Sequence, residues 1–137
     1  MLKKYLDMKV INLKIVQDGV IAIYNVNLID TKSAYRIEVK FNQCLLISED
    51  EYPFFSLAKL RGQLEEMNAF ILCNGARIDV YPSAMSSVGE MAYELEMGKQ
   101  ATKLVNIFEP YDREAGIATF SAQKKYREIW IESLKNG

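Results

Sequence analysis

The chain has 137 residues, of which half are hydrophobic and 26% are charged, and its net charge is −1. This length and composition predict one folded domain over residues 1–137 and exclude a disordered tail. The near-neutral charge disfavours nucleic acid as a partner, because phosphate backbones are bound by a concentrated surplus of Lys and Arg. The absence of histidine removes the usual general base, the middle member of a catalytic triad and the commonest zinc ligand.

The N-terminal stretch and the two cysteines bear on location. The sequence begins Met-Leu-Lys-Lys-Tyr-Leu-Asp, which lacks an uninterrupted apolar core and is therefore not predicted to be a signal peptide. No stretch approaches the ~18 apolar residues that a membrane span requires. We therefore expect a cytoplasmic protein with no membrane partner. In that compartment Cys44 and Cys73, each inside an apolar run, are expected to be reduced and buried thiols.

The first third of the chain alternates apolar and polar residues with the period of a β-strand. Strands are predicted over residues 10–16, 20–28 and 35–41, and Asp18-Gly19 is a hairpin turn signal between the first two. The third strand is expected to run on to residue 47 with a bulge near Gln43. The pattern therefore predicts a three-stranded antiparallel meander.

A helix is predicted over residues 53–68. Pro53 suits an early helical position, and an apolar stripe recurs at spacings of three and four residues. The stripe consists of Phe54, Leu57, Leu60, Leu64 and Met67. Gly62 inside the helix costs ~1 kcal/mol relative to alanine, and we expect a closely approaching strand to explain it.

The stretch 70–85 carries the strongest hairpin signal. Asn74-Gly75 lies between two apolar runs and favours a type I′ turn, because both residues tolerate positive φ. Alternation in the outgoing strand, residues 76–81, would then place Arg77, Asp79 and Tyr81 in one row on the outer face. That row is either a solvated sheet face or a functional surface.

The remaining elements follow from turn residues and apolar spacing. Residues 82–90 are small and polar and predict a mobile loop, in which Met85 either contacts a partner or tucks onto the core. Strands are predicted over residues 91–97, 104–109 and 117–120.

A C-terminal helix is predicted over residues 122–135, with Ser121 as its N-cap. Its apolar stripe consists of Tyr126, Ile129, Trp130 and Leu134, and Trp130 is expected to anchor it in the core. The fold class that results is α+β, with an antiparallel sheet of about six to eight strands packed against two helices.

Motifs for catalysis and cofactors are absent from the sequence. It has no phosphate loop, dinucleotide fingerprint, serine elbow or Cys-x-x-Cys pair, so no cofactor and no metal are expected. Glu94 and Glu96 form a conceivable acid–base pair, but strand neighbours of this kind are usually solvated acids. Cys73 would need its pKa lowered by Arg77 alone to act as a nucleophile. The residues alone therefore assign no reaction to the chain.

The central motif also carries a family resemblance. Asn74-Gly75-Ala76-Arg77 and the stretch 79–85, followed by Ala92-Tyr93 and Gly98, resemble small bacterial immunity proteins of toxin–immunity pairs, including contact-dependent growth inhibition systems. The similarity covers roughly residues 54–130. Ser83-Ala84-Met85 stands where that group usually has Gly-Met, so this turn is expected to be less strained.

The resemblance implies a binding protein that neutralises a cognate toxin by masking it, and no catalytic residues carry over. Candidate partner-binding residues are Arg77, Asp79, Tyr81, Met85, Glu90, Glu94 and Glu96. The three glutamates, or residues 49–51, would meet the basic surface of a nuclease toxin. Two alternatives stay open. One is a small-ligand-binding domain or small enzyme, with a pocket between the sheet and the helix over residues 53–68 and lined by Arg77, Asp79 or Tyr81. The other is a subunit that assembles into a homo-oligomer.

Overall fold

The computed structural model describes residues 7–135, which form eight strands and two α-helices. The strands are β1 Asp7–Gln17, β2 Val20–Asp30, β3 Tyr35–Phe41, β4 Cys44–Asp50, β5 Ala69–Leu72, β6 Val80–Tyr81, β7 Met91–Glu94 and β8 Leu104–Asn106, and the helices are α1 Pro53–Glu65 and α2 Phe120–Lys135. This confirms the α+β class and the two predicted helices. The strands form two sheets, in the orders β4-β3-β2-β1-β5 and β6-β7-β8. Among residues 7–135, no helix is both long enough and apolar enough to span a membrane.

The chain divides into two compact units, Met1–Ile71 and Leu72–Gly137. We call them the first unit and the second unit. The prediction of one domain over residues 1–137 stays a prediction, because one domain can contain two compact clusters.

The first unit is a four-stranded antiparallel meander, with β5 beside β1. Asp18 and Gly19 turn the chain between β1 and β2 with φ of 51° and 77°, as the turn signal predicts. Asn42 and Gln43 do the same between β3 and β4 with φ of 50° and 67°. Two consecutive left-handed residues reverse a strand. The predicted bulge near Gln43 is therefore wrong, and β4 is a strand of its own.

The core of the first unit lies between the sheet and α1, which packs on β3 and β4. The inward side chains of β1 to β3 are fully buried: Leu13, Ile15, Val26, Leu28, Ile37, Val39 and Phe41. The predicted helical stripe is confirmed for Phe54, Leu57, Leu60 and Leu64, which are equally buried. Its last member, Met67, lies beyond the end of α1 and is only half-buried. These large aliphatic and aromatic side chains give the first unit a dense apolar core.

Helix α1 ends earlier than predicted. Met67 N and Asn68 N donate to Leu64 O and Glu65 O, and Asn68 then adopts a left-handed φ of 57°, which stops the helix. The close approach expected at Gly62 is also wrong, because a Cβ placed there would meet nothing within 4 Å.

The cysteines differ from each other. Cys73 is buried as predicted, but Cys44 is exposed. Cys44 is the first residue of β4, the strand at one edge of the five-stranded sheet. Its apolar sequence neighbours Leu45 and Ile47 are exposed as well, so the apolar run around it does not mark a buried strand.

The second unit contains the short antiparallel sheet β6-β7-β8 and helix α2, which packs against β6. β7 ends at Glu94 and β8 at Asn106, so both strands are shorter than predicted. Asn106 Oδ1 accepts a hydrogen bond from Phe108 N at 2.8 Å. This Asx turn ends β8 before Pro110 can do so.

The start of α2 also differs from the prediction. Thr119 Oγ1 accepts a hydrogen bond from Ala122 N at 3.1 Å, which makes Thr119 rather than Ser121 the N-cap. The helix therefore begins at Phe120. The strand expected over residues 117–120 does not form, and a single β-bridge between Arg77 and Ile117 is found there instead.

The hairpin predicted at Asn74-Gly75 is wrong. Neither residue has a positive φ, and Asn74–Ala76 is a single 3₁₀ turn. Asn74 N donates to Glu109 O at 2.9 Å and Gly75 N to Ile107 O at 2.8 Å. Ala76 N does close a turn by donating to Cys73 O at 3.0 Å, but its two central residues are right-handed and their N–H groups bond to a distant segment. The flanking strands do not pair with each other, because β5 lies beside β1 and β6 pairs with β7.

Candidate functional site

Arg77 is the centre of an ionic cluster in the second unit. Its side chain is only 12% exposed. Nε and Nη2 each donate to one carboxylate oxygen of Asp79 at 3.0 Å, and Nη1 donates to Glu94 Oε2 at 2.9 Å. The guanidinium also lies 4.7 Å from the ring centroid of Tyr111. We call Arg77, Asp79, Glu94 and Tyr111 the Arg77 cluster. The bidentate pair fixes Arg77 to Asp79, and the bond to Glu94 joins this segment to β7.

The electrostatics of the Arg77 cluster keep its charges in place. Burial by itself lowers the pKa of Arg77, but the hydrogen bonds and charges of Asp79 and Glu94 outweigh it and raise that pKa. Burial likewise acts to raise the pKa of Glu94, yet Arg77 and then Lys103 lower it overall. Arg77 and Glu94 are therefore charged at neutral pH and compensate each other.

The acidic side chains expected to face a toxin are mostly compensated within the second unit. Glu94 Oε1 is 3.4 Å from Lys103 Nζ, and Glu96 Oε2 is 2.9 Å from Lys99 Nζ. Glu90 Oε1 accepts a hydrogen bond from Asn106 Nδ2 at 3.3 Å. The structure thus does not bring Glu94 and Glu96 into an uncompensated acidic patch. Charge complementarity to a basic toxin stays a prediction.

The predicted row of Arg77, Asp79 and Tyr81 does not form. Residues 77–79 precede β6, which begins at Val80, so they do not share the pleat of a strand. Tyr81 pairs with Tyr93 on β7, and its ring stacks on Phe120 with centroids 6.4 Å apart. Burial raises the pKa of the Tyr81 hydroxyl, with Arg127 acting in the opposite direction. Tyr81 therefore belongs to a different surface from the Arg77 cluster.

That surface is a half-open cleft of about 240 Å³, which we call the aromatic cleft. Its apolar wall comes from Tyr81, Pro82, Tyr93, Leu95 and Trp130, and Arg127 adds a cation. Trp130 is half-buried and its Nε1 donates to Lys99 O at 2.9 Å. The prediction that Trp130 anchors the core is therefore wrong.

The loop over residues 83–89, which we call the serine loop, is held by its own hydroxyl groups. Ser83 N donates to Ser86 Oγ at 2.8 Å, and Ser86 N donates back to Ser83 Oγ at 3.0 Å. Ser87 Oγ donates to Ala84 O at 3.0 Å. Met85 is 86% exposed and Val88 is 70% exposed. Of the two positions expected for Met85, the structure has the one that faces outward.

Gln123 is a structurally important residue that the sequence analysis missed. It is fully buried, and its Nε2 donates to Arg77 O at 2.7 Å and Gly75 O at 2.9 Å, with a longer bond of 3.4 Å to Val80 O. It ties α2 to the segment that contains the Arg77 cluster. A signal was present, because Gln123 lies three residues before Tyr126 on the apolar stripe of the helix.

The described residues offer no evident metal centre: within residues 7–135, no group of three or more Cys, Asp or Glu side chains could hold a metal ion. No family model matches the chain, and no curated protein matches it significantly.

Proposed function

We propose that this chain is a cytoplasmic bacterial immunity protein, of the contact-dependent growth inhibition type, that neutralises a cognate toxin by tight binding without catalysis. The resemblance of residues 74–98 suggests the class. The observation that carries the proposal is the serine loop, which presents Met85 and Val88 almost fully to solvent.

Exposed apolar side chains on an internally bonded loop suit a binding surface. A partner that covers Met85 and Val88 gains the free energy of apolar burial. The hydrogen bonds among Ser83, Ser86 and Ser87 restrict the loop in advance, so that less conformational entropy is lost on binding. Met85 adds an unbranched side chain that adapts to an irregular partner surface. These properties support the serine loop as the central contact.

The charged residues take a secondary role in this proposal. Glu90 and Glu96 lie on the same unit as the serine loop and would form part of a polar rim. Rim charges mainly steer association and select the partner, and they contribute less to the lifetime of the complex. Arg77, Asp79 and Glu94 hold the scaffold through the Arg77 cluster, while Tyr81 belongs to the aromatic cleft.

The experiment is capture of the partner by tagged protein in the source bacterium, read by native mass spectrometry. We expect one stoichiometric protein partner, encoded beside this gene, whose toxicity is suppressed by co-expression of this chain. A homo-oligomer as the sole assembly, with the neighbouring gene expressed, would contradict the proposal.

Two variants locate the surface. Met85→Glu combined with Val88→Glu is expected to weaken capture by at least about tenfold, because charged groups would be desolvated in an apolar contact. Val20→Glu is the matched control, since Val20 is 68% exposed and lies in the first unit. If both variants lose partner capture to the same extent, the serine loop is not the central contact.

Charge reversal tests the rim. Glu90→Lys with Glu96→Lys is expected to slow association and to reduce its salt dependence, with a smaller effect on dissociation. Unchanged association rates would leave these glutamates without a role in toxin binding.

A further inference from the structure

The aromatic cleft, which Ser83 of the serine loop also lines, has the composition of a ligand site. Tyr81, Tyr93 and Trp130 supply aromatic surface, and Pro82 and Leu95 close the apolar wall. Aromatic walls favour a flat ring, because stacked and edge-to-face contacts add to the gain from burial.

Arg127 gives the aromatic cleft its polarity. Its guanidinium lies 5.2 Å from the ring centroid of Tyr81. It makes no ion pair with any of residues 7–135, in contrast to Arg77, which is bound by Asp79 and Glu94. A guanidinium held over a ring presents its remaining N–H groups in a planar fork that matches a carboxylate.

We propose that the aromatic cleft binds a single planar aromatic group that carries a carboxylate, with the ring against Tyr81, Tyr93 and Trp130 and the carboxylate on Arg127. The volume of about 240 Å³ lies below the ~300–1,000 Å³ of typical small-molecule pockets. It therefore suits one ring with a short acidic tail rather than a nucleotide or a larger cofactor.

The chain contains a reporter for this site. Trp130 is the single tryptophan of the sequence and lines the aromatic cleft, so its fluorescence responds to occupancy there. Phenylacetate is the first probe, and phenylacetamide is its uncharged counterpart of nearly the same shape. We expect a saturable change in Trp130 emission with phenylacetate and binding at least about tenfold weaker with phenylacetamide.

Two further probes define the chemistry and its source. Cyclohexylacetate keeps the acid but replaces the flat ring, and it is expected to bind more weakly than phenylacetate. The peptide N-acetyl-Asp-Phe-amide presents the same ring and carboxylate as protein side chains. Tighter binding of the peptide assigns the aromatic cleft to a protein partner, and tighter binding of phenylacetate assigns it to a free aromatic acid.

Substitutions at Arg127 test whether its guanidinium is responsible for the change in Trp130 emission. Arg127→Gln is expected to weaken phenylacetate binding about tenfold, and Arg127→Lys to restore part of it. Arg113→Gln removes a charge from an exposed position outside the aromatic cleft and is expected to leave binding unchanged. Equal binding of phenylacetate and phenylacetamide, or no saturable change with either the acid or the peptide, would overturn the proposal. Neither result bears on the serine loop, because no toxin is present in these titrations.

Discussion

The two units of the chain are stabilised in different ways. The four strands of the meander in the first unit have 11, 11, 7 and 7 residues and cover a core of large apolar side chains. The strands of the second unit have 2, 4 and 3 residues, and single polar side chains bind its segments together. Gln123 reaches three carbonyl groups, and Arg77 joins Asp79 to Glu94.

This difference between the units shows that long strands over an apolar core and short strands joined by polar side chains are specified by different properties of the sequence. Repeated apolar alternation specifies long strands, and no single residue decides the result. In the second unit one polar group bonds to several partners, so that its loss removes several hydrogen bonds at once. We therefore expect the first unit to respond to changes in core volume, and the second to changes in charge, hydrogen bonding and pH.

The largest effect is expected in the core of the first unit. Leu57→Ala removes a fully buried side chain from α1 and should lower the free energy of unfolding by about 3 to 4 kcal/mol. Urea titration followed by far-UV circular dichroism measures it, with exposed Glu51→Ala as the control. Trp130 fluorescence then reports the second unit alone. Coincident transitions at the two probes would support the predicted single domain, and separate transitions would contradict it.

The next effect compares two arginines. Arg77→Met should lower the free energy of unfolding by about 2 to 3 kcal/mol, because Asp79 loses its bidentate cation and Glu94 is left with the longer contact to Lys103. Arg36 in the first unit also pairs with two glutamates, but its side chain is 37% exposed. Arg36→Met should therefore cost less than about 1 kcal/mol. Both free energies of unfolding are measured by chemical denaturation. Equal losses in the Arg77→Met and Arg36→Met variants would contradict the proposed difference between the two units.

Gln123→Leu should lower the free energy of unfolding by about 2 kcal/mol, since the carbonyl groups of Gly75, Arg77 and Val80 each lose the hydrogen bond from its side-chain amide. Lys125→Leu is the matched control, two positions further along α2 and exposed. If the Gln123→Leu variant unfolds at the same urea concentration as the natural chain, the hydrogen bonds of Gln123 do not contribute to stability.

The Arg77 cluster also predicts a pH dependence. Glu94 has a pKa lowered below its ordinary value of 4.5, so the unfolded chain binds more protons than the folded one as pH falls below that value. Its stabilising contribution is present above pH 4.5 and is lost as pH falls through the folded pKa. The stability difference between the natural chain and Glu94→Gln should therefore shrink from pH 7 to pH 3. A constant difference would contradict this assignment.

The smallest effect is a gain. Gly62→Ala should raise the free energy of unfolding by about 0.5 to 1 kcal/mol, because alanine is the better helix former and its methyl group meets no neighbour. Thermal unfolding measures it. A lower midpoint would mean that Gly62 serves a contact that the structure does not contain.

The first unit was largely predictable from the sequence. Alternation located β1, β2 and β3, and the stripe of Phe54, Leu57 and Leu60 located α1. The turn between β3 and β4 was not predicted because neither of its two residues, Asn42 and Gln43, is a glycine, although both adopt the left-handed conformation. Side chains alone did not distinguish a type I′ turn from a bulge there.

The second unit was less predictable, because its local signals are overridden by distant contacts. Asn74-Gly75 has the composition of a type I′ turn, yet its N–H groups bond to residues 107–109. The candidate residues were located in the sequence, but their grouping was not. Asp79 and Glu94 are joined by Arg77, and Tyr81 lies instead in the aromatic cleft. Such groupings depend on tertiary contacts that neither spacing nor alternation encodes.

The contrast between the two cysteines makes local opening of the protein measurable under native conditions. Cys44 is exposed and available to a thiol reagent, whereas Cys73 is completely inaccessible. Cys73 reacts only in molecules whose second unit has opened, so its modification rate reports the free energy of that opening. Cys44, which is modified at once, supplies the internal standard for the number of protein molecules.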